Sequence, residues 1–416
     1  MRKNPRSIWG PMSINPNSRS AQGYAAMMEG TLNWRAPGGS VAIALLVLGC
    51  GEVEEHSEAD ATPQPVVDAA VGTGLDGSPR DADASGGLDA AVGGCISEIA
   101  FTGRHRGEIG RDVFVATLED GHASVRAVQH LDADIRDIEW SPDGSRLAFA
   151  SERDEPWEIY VFDLETSEEQ RLSEQAPSGL ESRHPFWSPD GEELLFTRSE
   201  DNRTDLWLMA DDGSNVQLLV SASEEGDLSG VAGTWSPDGS RVAYVEVIVD
   251  TSQGTLDSSG EMYAMSSDGS GVVYLTDGDD LLTSPSWSPD GGLLAFGDWA
   301  RGGVNIAAAD GSEVREVASN WTPASEFIEW APSGTRLVYT CGPVSESRIC
   351  AVNADGSGHV ELRPGSEPRY SPDGEQIAYI HEHELGVMAA DGSGSDRLAS
   401  EVTAVEDLAW RPCPEE

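Results

Sequence analysis

The chain has 416 residues and a formal net charge of −47, with 73 acidic against 26 basic residues and Lys3 as its only lysine. That balance excludes nucleic acid as a partner, since phosphate binding needs clustered basic side chains, and the scarcity of lysine excludes Schiff-base and Ser-Lys chemistry. The acidity itself reads as solubility or adaptation to high salt, with an acidic docking surface as the alternative.

In chain order the first feature is "SVAIALLVLGC", Ser40 to Cys50, an eight-residue apolar run after Arg35. It is too short to cross a bilayer and suits a signal peptide. The segment resembles a bacterial lipoprotein signal, with Val47, Leu48, Gly49 and Cys50 standing as the lipobox. The resemblance implies that residues 1–50 are a signal peptide, that Cys50 carries lipid as the first mature residue, and that Met27 or Met28 is a candidate true start. Gly51 stands where such lipoproteins carry an aspartate for inner-membrane retention, so an outer-membrane lipoprotein, periplasmic or surface-exposed, is implied. The alternative is an ordinary secretory signal with an unrelated Cys50.

Residues 51–94 hold ten carboxylates, one arginine and no aromatic residue, too little apolar surface to fold. They predict a disordered acidic tether, which at about 5–6 Å times the square root of its length reaches roughly 35–40 Å.

From residue 95 to 416 one sentence recurs. "WSPDGSRLAF" begins at Trp140, and related copies begin at Trp187, Trp235, Trp287, Trp330 and Tyr370, with a truncated "WRPC" at Trp410. Proline presets the first turn position, aspartate bonds its own backbone, and glycine supplies the positive φ. An alternating apolar strand follows, then a strand such as "EIYVFDL" (Glu158 to Leu164), a "DGS" turn, and a last short strand. Four short strands per period of about 40–50 residues predict a β-propeller blade, which buries its faces only by stacking in a ring. The fold class is therefore all-β.

"EIAFTG" (Glu98 to Gly103) enters the repeat at its second strand, and "DLAWRP" (Asp407 to Pro412) supplies the missing first strand from the other terminus. The reading is a seven-bladed propeller of four-stranded antiparallel blades, closed by exchange of the N- and C-terminal strands. Aligning the copies puts Cys95 and Cys413 at the severed turn, where a disulfide would close a very long loop. Cys341 and Cys350 flank "GPVSESRI" between two strands and predict a second disulfide. Free buried thiols are the alternative.

The repeat resembles the PD-type repeat of TolB-like β-propellers, related in form to WD40-like repeats. The resemblance covers residues 99–412 and rests on six near-complete copies. It implies a periplasmic, non-enzymatic propeller that binds other envelope proteins, its namesake docking to a peptidoglycan-associated lipoprotein. This chain departs in having seven blades by count rather than six, an anchor and tether, and no small α/β domain ahead of the propeller.

The expected function is thus a non-catalytic, lipid-anchored module for protein–protein interaction in the envelope, monomeric, touching membrane through its lipid alone and needing no cofactor. A carbohydrate or peptide receptor domain with its ligand in the channel is the alternative. Enzymes come third. A prolyl-oligopeptidase-like hydrolase needs a Gly-x-Ser-x-Gly elbow on a separate domain. A metal-dependent lyase needs histidines converging on the channel, for which His184, His381 and His383 are the available candidates. The "DG" turns lack the spacing of a calcium loop.

Binding on a repeat scaffold falls to the variable loops. These are Ser151 to Glu158, Arg198 to Asp205, Glu246 to Glu261, Gly297 to Gly303 and His381 to Leu385. Aromatic and arginine anchors dominate interfaces, so Trp157, Arg198, Trp299 and Arg301 are candidate partner-binding residues, together with His381 and His383 of the last of these loops. By the resemblance, Arg183 and His184 stand where TolB-like blades aim side chains at the channel mouth. Packing over blade edges is the alternative role of the two tryptophans.

Overall fold

Each Ser-Pro-Asp-Gly turn folds as its residue types dictate. In the first, the Ser141 hydroxyl donates to Asp143 Oδ1 (2.6 Å) and Ser145 N–H to the same oxygen (3.0 Å), while Gly144, at φ 68°, donates its N–H to Ser141 O (2.8 Å). A side chain at that φ would be strained, which is why glycine stands there. Hydrogen bonds from Ser236 and Ser240 hold the equivalent Asp238 down at about 2.

A computed structural model describes residues 97–413, less 106–109, 120–121, 155, 174–179, 201, 225–227, 251–256, 279–281, 284, 299–301, 320–327, 395 and 399–401. Cys50, Cys95, Trp299 and Arg301, the signal peptide and the tether lie outside the described residues. The described chain is all-β apart from one short 3-10 turn at Val344–Glu346.

Four sheets are antiparallel, with four strands in chain order. They open with Ile135–Trp140, Ser286–Trp287, Ile328–Trp330 and Ser366–Tyr370. An eight-stranded sheet fuses two further sets, opened by Glu181–Trp187 and Leu228–Trp235, through a short parallel pairing of Arg203 and Thr204 with Ser229 and Gly230. In the remaining sheet Glu98–His105 pairs with Arg111–Glu119 on one side. On the other side it pairs with the C-terminal strand Leu408–Trp410, Ile99 opposite Trp410.

The strands that open the sets are inner strands. Each touches the next in chain order, and Leu408–Trp410 touches both Ser366–Tyr370 and Ile135–Trp140. The repeated aromatic makes the contact. The indole N–H of Trp140 donates to Ala409 O (3.1 Å), that of Trp235 to Phe186 O (3.3 Å), that of Trp330 to Ser286 O (3.0 Å) and that of Trp410 to Arg369 O (3.0 Å). An arginine from the preceding set lies over the ring: Arg146 over Trp187 at 4.5 Å, Arg241 over Trp287 at 4.7 Å, Arg411 over Trp140 at 5.3 Å. The apolar core fills the gaps between sets, as where Trp187 and Phe196 pack on Ala148, Ile159 and Val161 of the set before.

Two segments expected as loops are strand. Arg198 to Asp205 is the tight end of a hairpin between Glu193–Glu200 and Arg203–Ala210. Arg198 is thereby 6% exposed, its guanidinium over Phe196 (5.1 Å) and Trp207 (4.8 Å), a core cation rather than a surface anchor. Residues 246–250 and 257–261 prolong the hairpin of Arg241–Asp250 with Asp257–Ser266, because Val245, Val247 and Val249 alternate inward and are buried.

The chain ends are tied by a side-chain and a backbone contact between Arg411 and Glu98. Arg411 Nη1 meets the buried Glu98 carboxylate at 2.6 Å, and Arg411 N–H donates to Glu98 O at 2.8 Å. Cys341 and Cys350 form a buried disulfide with Cα atoms 5.9 Å apart. Cys413 is also disulfide-bonded, to a cysteine outside the described residues.

Trp235→Ala is expected to lower the unfolding free energy by about 3–5 kcal/mol, the usual loss for truncating a core aromatic. Arg397→Ala, which removes two surface ion pairs, to Glu382 and Glu384, from a side chain 62% exposed, is expected to cost less than about 1 kcal/mol. Equal losses in urea unfolding would contradict the role given to the aromatic.

Candidate functional site

The inner strands are broken at one level. Three residues before the aromatic, Asp137, His184 and Glu367 adopt φ of 59°, 52° and 53°. The pairing register slips at the same places, between Arg136 and Glu139, Arg183 and Phe186, and Ser366 and Arg369. A left-handed non-glycine residue costs about 1–3 kcal/mol, and such a bulge re-aims its side chain.

The re-aimed side chains form a cluster at the start of the inner strands. The Asp137 carboxylate accepts from His184 N–H (3.2 Å) and Arg183 Nε (3.3 Å), and His184 Nε2 lies 3.6 Å from it. His184 Nδ1 lies 2.9 Å from the Thr197 hydroxyl, which donates to Arg183 O at 3.1 Å. One set back, Asp407 Oδ2 accepts from Asp137 N–H at 3.3 Å. Arg111, 6% exposed, reaches both Asp134 and Glu406, and Arg136 lies 3.2 Å from Asp134.

Burial and neighbours set the charges. Burial, helped by the Arg183 charge, pushes His184 below the ordinary histidine range against the pull of Asp137, so the imidazole is neutral at neutral pH. Burial alone would raise Asp137, yet His184, Arg183 and their hydrogen bonds outweigh it and hold the carboxyl low; with His184 neutral, Arg183 carries that stabilisation. Asp407 is pushed up, by burial first and by the Asp137 charge second.

A second level lies one residue before the aromatic. Glu139 accepts the backbone N–H of Trp187, and Glu329 that of Tyr370. Burial pushes Glu139 up to about 8 and Glu329 to about 7, each opposed chiefly by Arg369. Arg369 Nη1 stands 3.7 Å from Glu329 Oε2.

Of the residues singled out from sequence, the structure brings together Arg183, His184 and Trp157. The Arg183 guanidinium lies 4.6 Å over the Trp157 ring. His381 and His383 lie at a tight hairpin where Glu382 and His383 take φ of 51° and 62°, and His383 O accepts from Val405 N–H at 3.0 Å. Sequence reasoning missed Asp137, Asp407, Arg111, Glu139, Glu329 and Arg369. The usable signal was position: the residues one and three before each repeated aromatic.

Residues 97–253 match the family described as the TolB β-propeller domain, PD40. These are TolB-like propeller repeats. An uncharacterized protein, Atu1656, of Agrobacterium fabrum is 31% identical over 166 residues, 38% of this chain and 52% of that one. The uncharacterized peptidase YuxL of Bacillus subtilis is 33% identical over 111 residues, 26% of this chain and 16% of that one. This chain thus spans about half, or less, of the length of these curated relatives. Among solved structures, an oligogalacturonate lyase in complex with manganese superposes with a TM-score of 0.53 at 16% identity, over 72% of this chain and 83% of that one, a likeness of fold. The bulges at Asp137 and His184 thus sit within the residues that match the TolB-like repeats.

The pH dependence of Glu139 has a definite sign. Its folded value, about 8, lies above the ordinary 4.5, so ionisation in place costs stability above pH 8 and the cost fades as pH falls toward 4.5. Glu139→Gln is therefore expected to raise the melting temperature at pH 9 and to lose that advantage by pH 5. A constant difference in thermal melts across that range would refute the assignment.

Proposed function

We propose that the chain is a lipid-anchored protein of the bacterial envelope whose TolB-like repeats close into a seven-bladed wheel and bind another protein at the channel mouth without catalysis. Closure is supported by the pairing of Leu408–Trp410 with Glu98–His105 and by the unbroken series of inner-strand contacts. The bond of Cys413 fits Cys95 as its partner.

The observation that carries the reading is the strained cluster of Asp137, Arg183 and His184, to which both chain ends contribute. Strain at three bulges on one level, held by ion pairs from several sets, suits recognition rather than scaffolding. Arg183 stacked on Trp157 is the pairing of residue types that anchors protein interfaces. A lyase-like reading would assign His184 to a metal, but that imidazole is already engaged with Thr197 and Asp137. Peptidase and lyase activities belong to the named relatives, and they reach this chain by fold alone.

Capture from envelope extracts tests the function. One stoichiometric protein is expected, and Arg183→Gln, which keeps a donor for Asp137, is expected to weaken capture about tenfold or more when measured below its lowered melting temperature. Retention on a peptidoglycan matrix with no protein bound would favour a carbohydrate receptor instead. For the anchor, Cys50→Ala is expected to move the protein to the soluble fraction, and an unlipidated, soluble wild-type protein would overturn it. Non-reducing peptide mapping is expected to link Cys95 to Cys413; another partner for Cys413 would undo the closure.

A further inference from the structure

The last strand of a set is a sheet edge, and in several sets that edge is short and guarded by charge. The set opened by Ile135–Trp140 ends on Glu169–Arg171, and the set opened by Ser366–Tyr370 on Asp396–Arg397. Elsewhere a single apolar residue is exposed: Leu218 on Gln217–Val220, Val314 ahead of the exposed Arg315 and Glu316, and Val360 beside the exposed Glu361. Short strands and charged side chains are the means by which an edge avoids pairing with a foreign strand.

The set opened by Leu228–Trp235 ends differently. Its last strand, Val273–Gly278, has six residues and terminates the eight-stranded sheet. Val272, Val273 and Tyr274 are 53%, 51% and 49% exposed, the longest run of large exposed apolar side chains among the described residues. Tyr274 is held in place rather than loose: its ring meets Tyr263 edge-on at 5.6 Å, and Tyr263 stacks on the buried Tyr244 at 5.2 Å. The strand is long because the hairpin beneath it has ten residues on each side, so that Gly260 still finds Gly278 opposite.

Charge says what such an edge would accept. Residues 228–280 hold nine acidic residues and one basic residue, Arg241, and that guanidinium is engaged over Trp287 of the next set. Glu246 and Glu261 stand directly opposite each other in the pairing register, one step along from the tyrosines. Like charges so placed cost stability, and a cation brought from outside the set would relieve them.

We propose that the edge Val273–Gly278 is a docking site for one extended segment of a partner protein, with lysine or arginine alternating with apolar residues, which adds to the sheet as a further strand. Backbone hydrogen bonds supply affinity, Val272, Val273 and Tyr274 supply the apolar contact, and the acidic residues of the set select a basic partner. The same charge disfavours a second copy of this chain, since a net charge of −47 on each opposes bringing two such edges together. The edge belongs to a different set from Arg183 and His184, so the proposal does not depend on what the mouth cluster binds.

Fluorescence anisotropy of a labelled, end-blocked peptide KVKVKVK titrated with the full-length protein tests the proposal. Two control peptides separate its parts: EVEVEVE reverses the charge, and KVKPKVK keeps the charge but cannot pair as a central strand. Saturable binding of the first peptide alone is expected, weakening as sodium chloride is raised. Val273→Ser and Tyr274→Ser leave the net charge unchanged and are each expected to weaken binding about tenfold, through lost apolar contact at the edge. A retained thermal melt checks that these variants fold. Equal binding of KVKPKVK, or equal binding of KVKVKVK to the Val273→Ser/Tyr274→Ser double variant, would show attraction by charge alone and overturn the proposal.

Hydrogen exchange locates the peptide without relying on a variant. Bound peptide is expected to slow amide exchange within Val273–Gly278, because the edge becomes an interior strand; protection confined to another set would overturn the assignment. Sedimentation of the protein alone is expected to show no dimer formed through this edge. A dimer that the double serine variant dissociates would give the edge to a second copy and overturn the choice of a basic partner.

Discussion

The structure depends on one contact repeated between neighbours: an indole N–H donated to the backbone carbonyl one residue before the equivalent aromatic of the preceding inner strand. Trp140, Trp235, Trp330 and Trp410 all make it, at 3.0–3.3 Å. A tryptophan is suited to the task because it buries a large apolar surface and still carries one donor that finds a partner. At Trp140 and Trp287 an arginine of the preceding set also closes over the ring, so these joints combine burial, a hydrogen bond and a cation–π contact. A four-stranded set has no other means of burying both faces, and the joints therefore carry the cohesion of the whole.

That constraint also explains why the site is polar and inward. With the aromatics committed to the joints, the residues one and three positions earlier fall on the free edge of the inner strands, whose N–H groups need acceptors. Carboxylates supply them: Asp407 for Asp137, Asp137 for His184, Glu139 for Trp187 and Glu329 for Tyr370. Each acid thus secures a neighbouring strand while bringing negative charge to the ring. The arginines among them, Arg111, Arg136, Arg183 and Arg369, are the compensation. A substitution at this edge therefore removes both a strand-to-strand hydrogen bond and a charge from the same cluster.

The Arg411–Glu98 pair belongs to a different problem, that of holding together the ends of a chain whose first sheet is completed by its last strand. Arg411 departs from the repeat in a telling way. It stacks on Trp140 as Arg146 stacks on Trp187, but it stands directly after its own aromatic instead of six residues later, and it reaches Glu98 as well. One side chain replaces the turn arginine and ties the termini.

Much was legible in the sequence because the repeat is local chemistry: Pro, Asp and Gly specify the turn wherever they occur, and the alternating apolar residues after it specify a strand with two buried faces. The period and the aromatics pointed to stacked four-stranded sets for the same reason. Arg183 and His184 were reachable from their place just before the repeated sentence. What the sequence could not supply was pairing between sets. Arg198 reads as a loop residue until the hairpin closes two residues beyond Glu200 and buries it against Phe196 and Trp207. Likewise, Glu139, Glu329 and Arg369 are separated by up to 230 positions and read singly as surface charges. Only the contacts between successive inner strands bring partners together, as where Glu329 meets Arg369 across neighbouring sets.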